Sequence, residues 1–184
     1  MKGLRYLVLA AALVPPPAAR AQSPRLTRLL RAADSLALPV APAAESLRVR
    51  VDRLARVPAL APVPGVVTSG FAARRIDPID GRPAPHRGVD LAGQLGAVIR
   101  APAAGRVTAA GTAAGYGRYV LIDHGDGIVT RYAHCAALLV QRGQRVARGD
   151  PIALLGSTGR STAPHLHYEI LRRGRPVNPS DFPH

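Results

Sequence analysis

From Gly65 onward the chain consists of short β-prone segments separated by glycines, and this alternation constrains the fold more than any other feature. The segments read GVVTSGF, AVIRAP, GRVTAAG, RYVLIDH, GIVTRYAH, QRVARG, PIALLG and LHYEILRR. Many short strands joined by glycine turns are typical of an antiparallel β-sandwich or barrel-like fold. Asp126-Gly127 between two such segments predicts a β-hairpin. No helix longer than about two turns is expected after this point, because no segment there has helical periodicity.

The first residues have the pattern of an export signal. Lys2 and Arg5 precede the apolar run LVLAAALV, and Ala19-Arg20-Ala21 matches an A-x-A cleavage site. We therefore expect a signal peptide over residues 1–21 and an exported protein in the periplasm or cell envelope. The apolar run is too short to span a bilayer as a mature helix, so no stable membrane span is expected after cleavage. An uncleaved signal that acts as an anchor is the alternative.

Three zones are expected after the signal. They are a helical extension over residues 22–57, a proline-rich linker over 58–64 and a β domain over 65–184. Two leucine-rich runs in the extension have helical spacing, and Pro39 and Pro42 are expected to interrupt them. We expect this helical pair to pack on the β domain or on itself. A coiled coil that binds a cell-envelope protein is the alternative, although the two runs are short for one. The second run contains Leu47, Val51 and Leu54.

The strong positive charge does not indicate a nucleic-acid-binding protein. The formal net charge is +14, yet Lys2 is the sole lysine and aromatic residues make up only 4% of the chain. Few aromatic side chains leave few surfaces on which bases could stack. The charge is therefore expected to give a loose attraction to an anionic cell envelope, and no nucleic-acid partner is expected. Cys135 is the single cysteine, so an internal disulfide is excluded.

Five polar side chains in the β region have the chemistry of a catalytic metal site. They are His86 and Asp90 in HRGVD, His134 in RYAHC, and His165 and His167 in APHLHYE. Imidazole and carboxylate groups bind Zn²⁺, and three protein ligands plus one water are the pattern of a catalytic zinc site. Five candidates therefore supply three ligands and leave two histidines for proton transfer or oxyanion stabilisation, which indicates hydrolysis.

Strand geometry indicates how these side chains could converge. His165 and His167 are two residues apart, so both leave one face of a strand while Leu166 points into the core. His134 ends a neighbouring predicted strand, where its ring could reach the same groove. His124 follows Asp123 in an expected turn, and we expect it to be structural or solvated.

The segment from about Gly65 to Phe182 resembles the lysostaphin-type (LytM-like) zinc endopeptidases, which cut peptidoglycan peptides. The matching segments are TSGF, HRGVDLAG, GRVTAAG, YGRYVLIDHGDG, TRYAHCAALLV, GQRVARGDPIALLGSTGRSTAPHLHYEI and VNPSDF. The resemblance implies an antiparallel β-sandwich with its site in an open groove. It also implies a peptidoglycan stem peptide or cross-link as the substrate.

The resemblance assigns each candidate site residue a role. It implies one Zn²⁺ per chain, with the ligands His86, Asp90 and His167. It makes His134 and His165 the catalytic histidines, one for proton transfer and the other for the oxyanion, in an order that spacing does not decide. The resemblance also implies an arginine that faces the groove. The loop SGFAARRIDP is one residue longer than the usual family pattern, so this arginine is either Arg74 or Arg75.

Three alternatives accompany the endopeptidase interpretation. Related domains that have lost metal ligands bind and activate other cell-wall hydrolases, but all five site residues are present here. A lipoyl- or biotin-carrier domain would have a residue pattern like that of GAVIRAPAAGRV. Such carriers attach their cofactor to a lysine, and the β region has no lysine. A cupin-type metal enzyme also uses a His-x-His pair, but there the pair precedes the other ligands.

Overall fold

The structure, a computed structural model, describes residues 40–183. The predicted signal peptide and the first predicted helix therefore lie outside the described residues. Compact packing divides the chain after Glu45, and the β domain belongs to the unit that begins at Ser46. One helix, α1 (Val40–Ala55), precedes the strands. Between residues 40 and 183, no helix combines the length and the apolar character needed to cross a membrane.

Thirteen strands follow α1 in the described chain. They are β1 (Val66–Ser69), β2 (Ala72–Ile76), β3 (Pro83–His86), β4 (Val89–Ala92), β5 (Val98–Arg100), β6 (Gly105–Ala113), β7 (Gly117–Gly125), β8 (Ile128–Cys135), β9 (Ala137–Leu138), β10 (Arg145–Val146), β11 (Pro151–Leu154), β12 (His165–Arg172) and β13 (Arg175–Val177). A 3₁₀ turn at Pro179–Asp181 is the only helical element described after Gly65, as the sequence predicted.

The strands form an antiparallel β-sandwich, which confirms the predicted fold class. The large sheet has the order β1-β4-β12-β8-β7-β6-β10, with β13 paired to β12. A three-stranded sheet, β5-β11-β9, supplies buried residues to the same core, and β2 pairs only with β3. Apolar side chains from both main sheets fill the space between them, among them Leu91, Val120, Ile122, Leu166, Ile99 and Ile152.

The hairpin between β7 and β8 forms where the sequence predicted it. Asp126 and Gly127 both have positive φ, 52° and 77°. Two successive residues with positive φ make a type I′ turn, whose twist matches that of the flanking strands. This two-residue turn therefore joins two long neighbouring strands of the sheet directly, and it holds β8 beside β7.

The helical extension differs from its prediction in two respects. Pro42 does not end a helix, because α1 begins at Val40 and the proline lies in its first turn, where the missing N–H costs no hydrogen bond. Leu47, Val51 and Leu54 are 62%, 55% and 67% exposed, so these side chains are not packed on the β domain. The end of α1 does contact this domain, because the Ala104 N–H donates to the Ala55 carbonyl at 3.0 Å. Packing against the first predicted helix involves residues outside the described range and stays a prediction.

The proline-rich segment predicted as a linker lies against the β domain. Val63 is a buried member of the main core. The carbonyl of Pro62 accepts a hydrogen bond from the Arg100 N–H at 2.8 Å, and the Ala59 N–H donates to the Pro102 carbonyl at 3.2 Å. The segment therefore acts as an ordered strap on the small sheet.

Candidate functional site

The pairing of β4 with β12 places the site. In the antiparallel register His167 lies opposite Asp90. Alternation along β12 then separates two faces. One face carries Leu166, Tyr168 and Ile170, all at most 2% exposed, into the sandwich core. The opposite face carries the two histidines of the predicted pair, so the geometry expected for His-x-His is present.

Three ligand-type atoms converge at one point on this face. The Nε2 atom of His86 lies 3.0 Å from Asp90 Oδ1 and 3.1 Å from His167 Nδ1. The Nδ1 atom of His167 lies 2.8 Å from the same Asp90 oxygen. His86 reaches the point because β3 ends at this residue and β4 begins at Val89. A Cβ at Gly88 would lie 2.2 Å from the Tyr168 carbonyl oxygen, so this connection accommodates only glycine without a shift.

The outer ring nitrogens fix which atoms face the cluster. His86 Nδ1 lies 2.7 Å from the Gly70 carbonyl oxygen, which can only accept a hydrogen bond. His167 Nε2 lies 3.1 Å from Glu169 Oε1 in the same way. Each ring therefore carries a proton on its outer nitrogen, and in its neutral form it turns a lone pair inward. Two lone pairs and a carboxylate oxygen within 3.1 Å of one another suit a cation, and this donor set fits Zn²⁺.

The electrostatics of the cluster favour the ionised carboxylate. Burial would raise the pKa of Asp90, but hydrogen bonds from His167 and His86, which the rings donate when their inner nitrogens are also protonated, outweigh burial and hold this pKa well below its usual range. Arg75 adds a further cation, with Nη2 at 3.4 Å from Asp90 Oδ2. Arg75, and not Arg74, thus takes the groove-facing position that the sequence left open between them.

Behind His167 lies a hydrogen-bond network that the sequence analysis missed. Glu169 is 1% exposed and lies on the same face of β12. Besides His167, its carboxylate accepts hydrogen bonds from Tyr116 Oη at 3.0 Å and from Arg131 Nη1 at 2.7 Å. The Arg131 guanidinium also lies 4.4 Å from the centroid of the Tyr116 ring. A carboxylate that holds the outer nitrogen of a ligand histidine fixes its tautomer and orientation. The signal was available, since Glu169 is two residues from His167.

His134 joins the site through a β-bulge. Between Tyr132 and Cys135, β8 has one residue more than the paired stretch of β7. His134 is the extra residue. Its φ is 63°, and it breaks the alternation of side chains along the strand. Cys135 consequently packs in the core, and the His134 ring lies 4.7 Å from that of His165, centroid to centroid. Burial lowers the pKa of His134 to about 4, so it is neutral at neutral pH.

The two predicted catalytic histidines present the same ring atom. The Nδ1 atom of His134 donates to the Thr158 carbonyl at 2.8 Å, and the Nδ1 atom of His165 donates to the Ala163 carbonyl at 2.8 Å. Each Nε2 atom therefore carries a lone pair, and that of His165 lies 3.8 Å from Asp90 Oδ1. The structure thus brings all five predicted site residues together in one groove of about 330 Å³.

His124 lies outside this groove. It belongs to β7, so the expectation of a turn was wrong, and it is 2% exposed, so of the two expected alternatives the solvated ring is excluded. Its Nδ1 and Nε2 atoms lie 2.8 Å from the Ala104 carbonyl and from Thr130 Oγ1, respectively. The structural role expected for His124 agrees with these contacts.

Fold and site together define a β-sandwich protein with a candidate metal centre in an open groove. Residues 84–179, just over half of the chain, match Peptidase family M23, and the chain belongs to this family. The resemblance to lysostaphin-type zinc endopeptidases is thereby confirmed. Family membership also removes the carrier-domain and cupin alternatives.

Individual relatives are similar over the same region. The peptidoglycan DD-endopeptidase ShyA of Vibrio cholerae serotype O1 is 46% identical over 112 residues, which cover 61% of this chain and 26% of the relative. The chain thus spans about a quarter of the length of that curated relative.

Solved structures show the same fold. A zinc-containing peptidase from Vibrio cholerae has a TM-score of 0.59 and 42% identity, covering 67% of this chain and 38% of that one. The catalytic domain of lysostaphin from Staphylococcus simulans has a TM-score of 0.57 and 28% identity, covering 64% of this chain and 90% of that domain.

Proposed function

We propose that the protein is a zinc-dependent endopeptidase that hydrolyses peptide bonds in peptidoglycan stem peptides or cross-links. The observation that carries the proposal is the convergence of three metal-ligand atoms within 3.1 Å, beside two further histidines in an open groove. Membership of Peptidase family M23 and a relative named as a peptidoglycan DD-endopeptidase support the same substrate class.

In this proposal His86, Asp90 and His167 hold one Zn²⁺. Bound zinc supplies Lewis acidity toward the scissile carbonyl and lowers the pKa of a water that binds it. In their neutral forms, His134 and His165 each have a lone pair on Nε2 that would accept the proton of the attacking water. The histidine that takes this proton would deliver it to the leaving amine. The other histidine would stabilise the oxyanion only in its protonated form, in which Nε2 carries a proton that it can donate.

The regulator alternative is not favoured. A domain that only binds and activates another hydrolase has no use for a complete ligand set backed by a buried carboxylate. Glu169 is almost fully buried and accepts a hydrogen bond from His167. A surface that only binds a partner does not require a buried carboxylate that orients this histidine.

The same proposal includes export and the domain layout. Residues 1–21 would be removed as a signal peptide, and the protein would act in the periplasm or cell envelope. Residues 22–57 would form the helical extension, whose exposed Leu47, Val51 and Leu54 offer a surface to a cell-envelope partner. Residues 58–64 and 65–184 would be the proline-rich strap and the peptidase domain.

The decisive experiment measures zinc content and cleavage in parallel. Purified protein should contain about one zinc per chain, and a chelator should abolish the release of peptides from purified peptidoglycan, followed by mass spectrometry. His167→Ala should lose zinc and activity together. His165→Ala and His134→Ala should keep zinc while turnover falls by about 10²-fold or more, the scale for a general acid–base or oxyanion group.

Two outcomes would contradict the proposal. Full activity of a metal-free preparation would exclude a metalloenzyme. If His165→Ala loses zinc while His167→Ala keeps it, the ligand assignment within the pair is reversed. His124→Ala is the matched control, because His124 lies on another part of the sheet and should change stability without changing zinc content.

A further inference from the structure

An ion-pair bridge links two segments that line the groove. Arg160, in the loop between β11 and β12, places Nη2 at 2.7 Å from Asp77 Oδ1 and 2.9 Å from Asp80 Oδ2. Both carboxylates lie in the turn between β2 and β3, and all three side chains are partly exposed. Arg160 and Asp77 line the same groove as His86 and His165. The bridge thus ties the turn to the loop beside the candidate metal centre.

The two carboxylates are held in place independently of Arg160. Asp77 Oδ1 accepts a hydrogen bond from the Ile79 N–H at 2.9 Å, and Asp80 Oδ1 accepts one from the Arg82 N–H at 3.0 Å. Such side-chain-to-backbone bonds are local features of the turn and persist when an external partner leaves. The turn therefore presents a preformed pair of anions to the guanidinium.

The backbone of Arg160 is also fixed. Its N–H donates to the Gly115 carbonyl at 2.8 Å. The preceding residue, Gly159, lies so close to β7 that a Cβ there would come within 2.3 Å of Gly117 N. Arg160 can therefore exchange partners by rotating its own side chain, without a rearrangement of the loop.

The charges that line the groove favour an anionic ligand. Among its acidic residues, Asp90 is engaged by two histidines, and Glu169 is paired with Arg131. The remaining charged side chains that line it are Arg75, Arg87, Arg160 and Asp77. Arg75 is paired with Asp90, and Arg160 is paired with Asp77 and Asp80, so Arg87 is the guanidinium of this lining that has no ion-pair partner among the described residues. Guanidinium groups bind carboxylates through paired N–H donors, so a carboxylate is the ligand that this wall suits.

We propose that Arg160 binds a carboxylate of the peptide substrate, and that Asp77 and Asp80 occupy Arg160 as internal competitors until substrate arrives. The proposal rests on the endopeptidase function proposed above and names a specificity-determining residue for it. Binding is an exchange of one carboxylate for another at the guanidinium, so no covalent bond changes. Arg160 selects peptides with a free carboxylate over amidated ones.

The test uses the zinc-loaded full chain and two probes. One probe is a purified cross-linked muropeptide dimer with free carboxylates, and the other is the same dimer after amidation. Arg160→Gln should raise KM for the acidic dimer by about ten-fold, the scale of one charge-assisted hydrogen bond, and change KM for the amidated dimer little. Arg160→Lys should have a smaller effect on KM than Arg160→Gln, because lysine keeps the positive charge but lacks the paired N–H donors of the guanidinium. Arg142→Gln, an exposed arginine that does not line the groove, is the matched control.

The competitor role has its own variant. Asp77→Asn with Asp80→Asn keeps the acceptor oxygens of the turn and removes both charges. KM for the acidic dimer should then fall by about two- to five-fold, the scale of a partly exposed ion pair, with kcat unchanged. Asp52→Asn, on the exposed part of α1, controls for the loss of a negative charge.

Several results would overturn the inference. An equal effect of Arg160→Gln on both dimers would make Arg160 a structural residue of the loop. A rise in KM for the Asp77→Asn/Asp80→Asn protein would make these carboxylates part of the binding surface. If the wild-type protein cleaves neither dimer, the proposed function fails. Calorimetric binding of both dimers to wild type and to Arg160→Gln then still decides the role of Arg160.

Discussion

Glu169→Gln tests whether the buried carboxylate behind His167 governs metal affinity. The two oxygens of Glu169 receive three donors, with His167 and Tyr116 on Oε1 and Arg131 on Oε2. A glutamine offers one acceptor oxygen and one NH₂ group in almost the same volume. The NH₂ group of the glutamine must therefore face a hydrogen-bond donor, either on the His167 and Tyr116 side or on the Arg131 side.

Both orientations of the amide weaken the centre. If NH₂ faces Arg131, a charge-assisted hydrogen bond worth about 1.5–3 kcal/mol is lost. The side chain at position 169 is then no longer held in its fixed position. If NH₂ faces His167, the ring is driven to the other tautomer and turns an N–H, not a lone pair, toward the metal ligands. We expect zinc affinity to fall by about 10- to 100-fold, the range for losing such an outer partner of a ligand histidine.

The assay is competition for zinc against a chromophoric chelator, with urea unfolding measured in parallel. Glu45→Gln is the matched control, since Glu45 is exposed and is the only other glutamate in the chain. A folded Glu169→Gln protein with wild-type zinc affinity would refute the reasoning, because the network would then serve the fold alone.

Three further predictions concern stability and reactivity. Burial lowers the pKa of His124, so the unfolded chain binds its proton more readily; the stability advantage of wild type over His124→Gln should shrink in urea titrations as pH falls from about 8 to 5, through the ordinary histidine pKa. Gly117→Ala, with φ 64° and a Cβ 2.4 Å from Thr158, should destabilise by at least about 1–3 kcal/mol in urea, whereas Gly111→Ala meets no atom within 4 Å and should not share this loss. Burial raises the pKa of the Cys135 thiol to about 12, so native protein should resist a thiol reagent that labels it in urea, and fast native labelling would contradict the packing.

The sequence predicted most reliably where one physical rule acts alone. Alternation along β12 was sufficient to place His165 and His167 on one face, and the Asp126-Gly127 turn was sufficient to place the β7–β8 hairpin. Strand alternation fails for His134, because the bulge that turns its ring toward the groove arises from the pairing of β8 with β7. No property of the sequence RYAHC predicts that one residue will be extra.

Other features depended on partners that are distant in sequence. The role of Glu169 becomes visible only when Arg131 and Tyr116 are known to lie beside it. The apolar spacing in α1 predicted a packed face, yet Leu47 and its neighbours are exposed, because periodicity indicates a face without saying what covers it. The strap was mistaken for a linker, since proline content does not show that Val63 is buried.

The register between β4 and β12 also determines when the site can exist during synthesis. Asp90 and His167 are 77 residues apart in sequence, and their strands are direct neighbours in the sheet. A ribosome that has released β4 has made only part of the candidate metal site, and His167 arrives with β12, the eighth strand after β4. Pairing across such a separation is slow compared with local hairpin formation. The nascent chain therefore lacks the full ligand set until β12 has emerged, and the proposed hydrolytic activity cannot precede that strand.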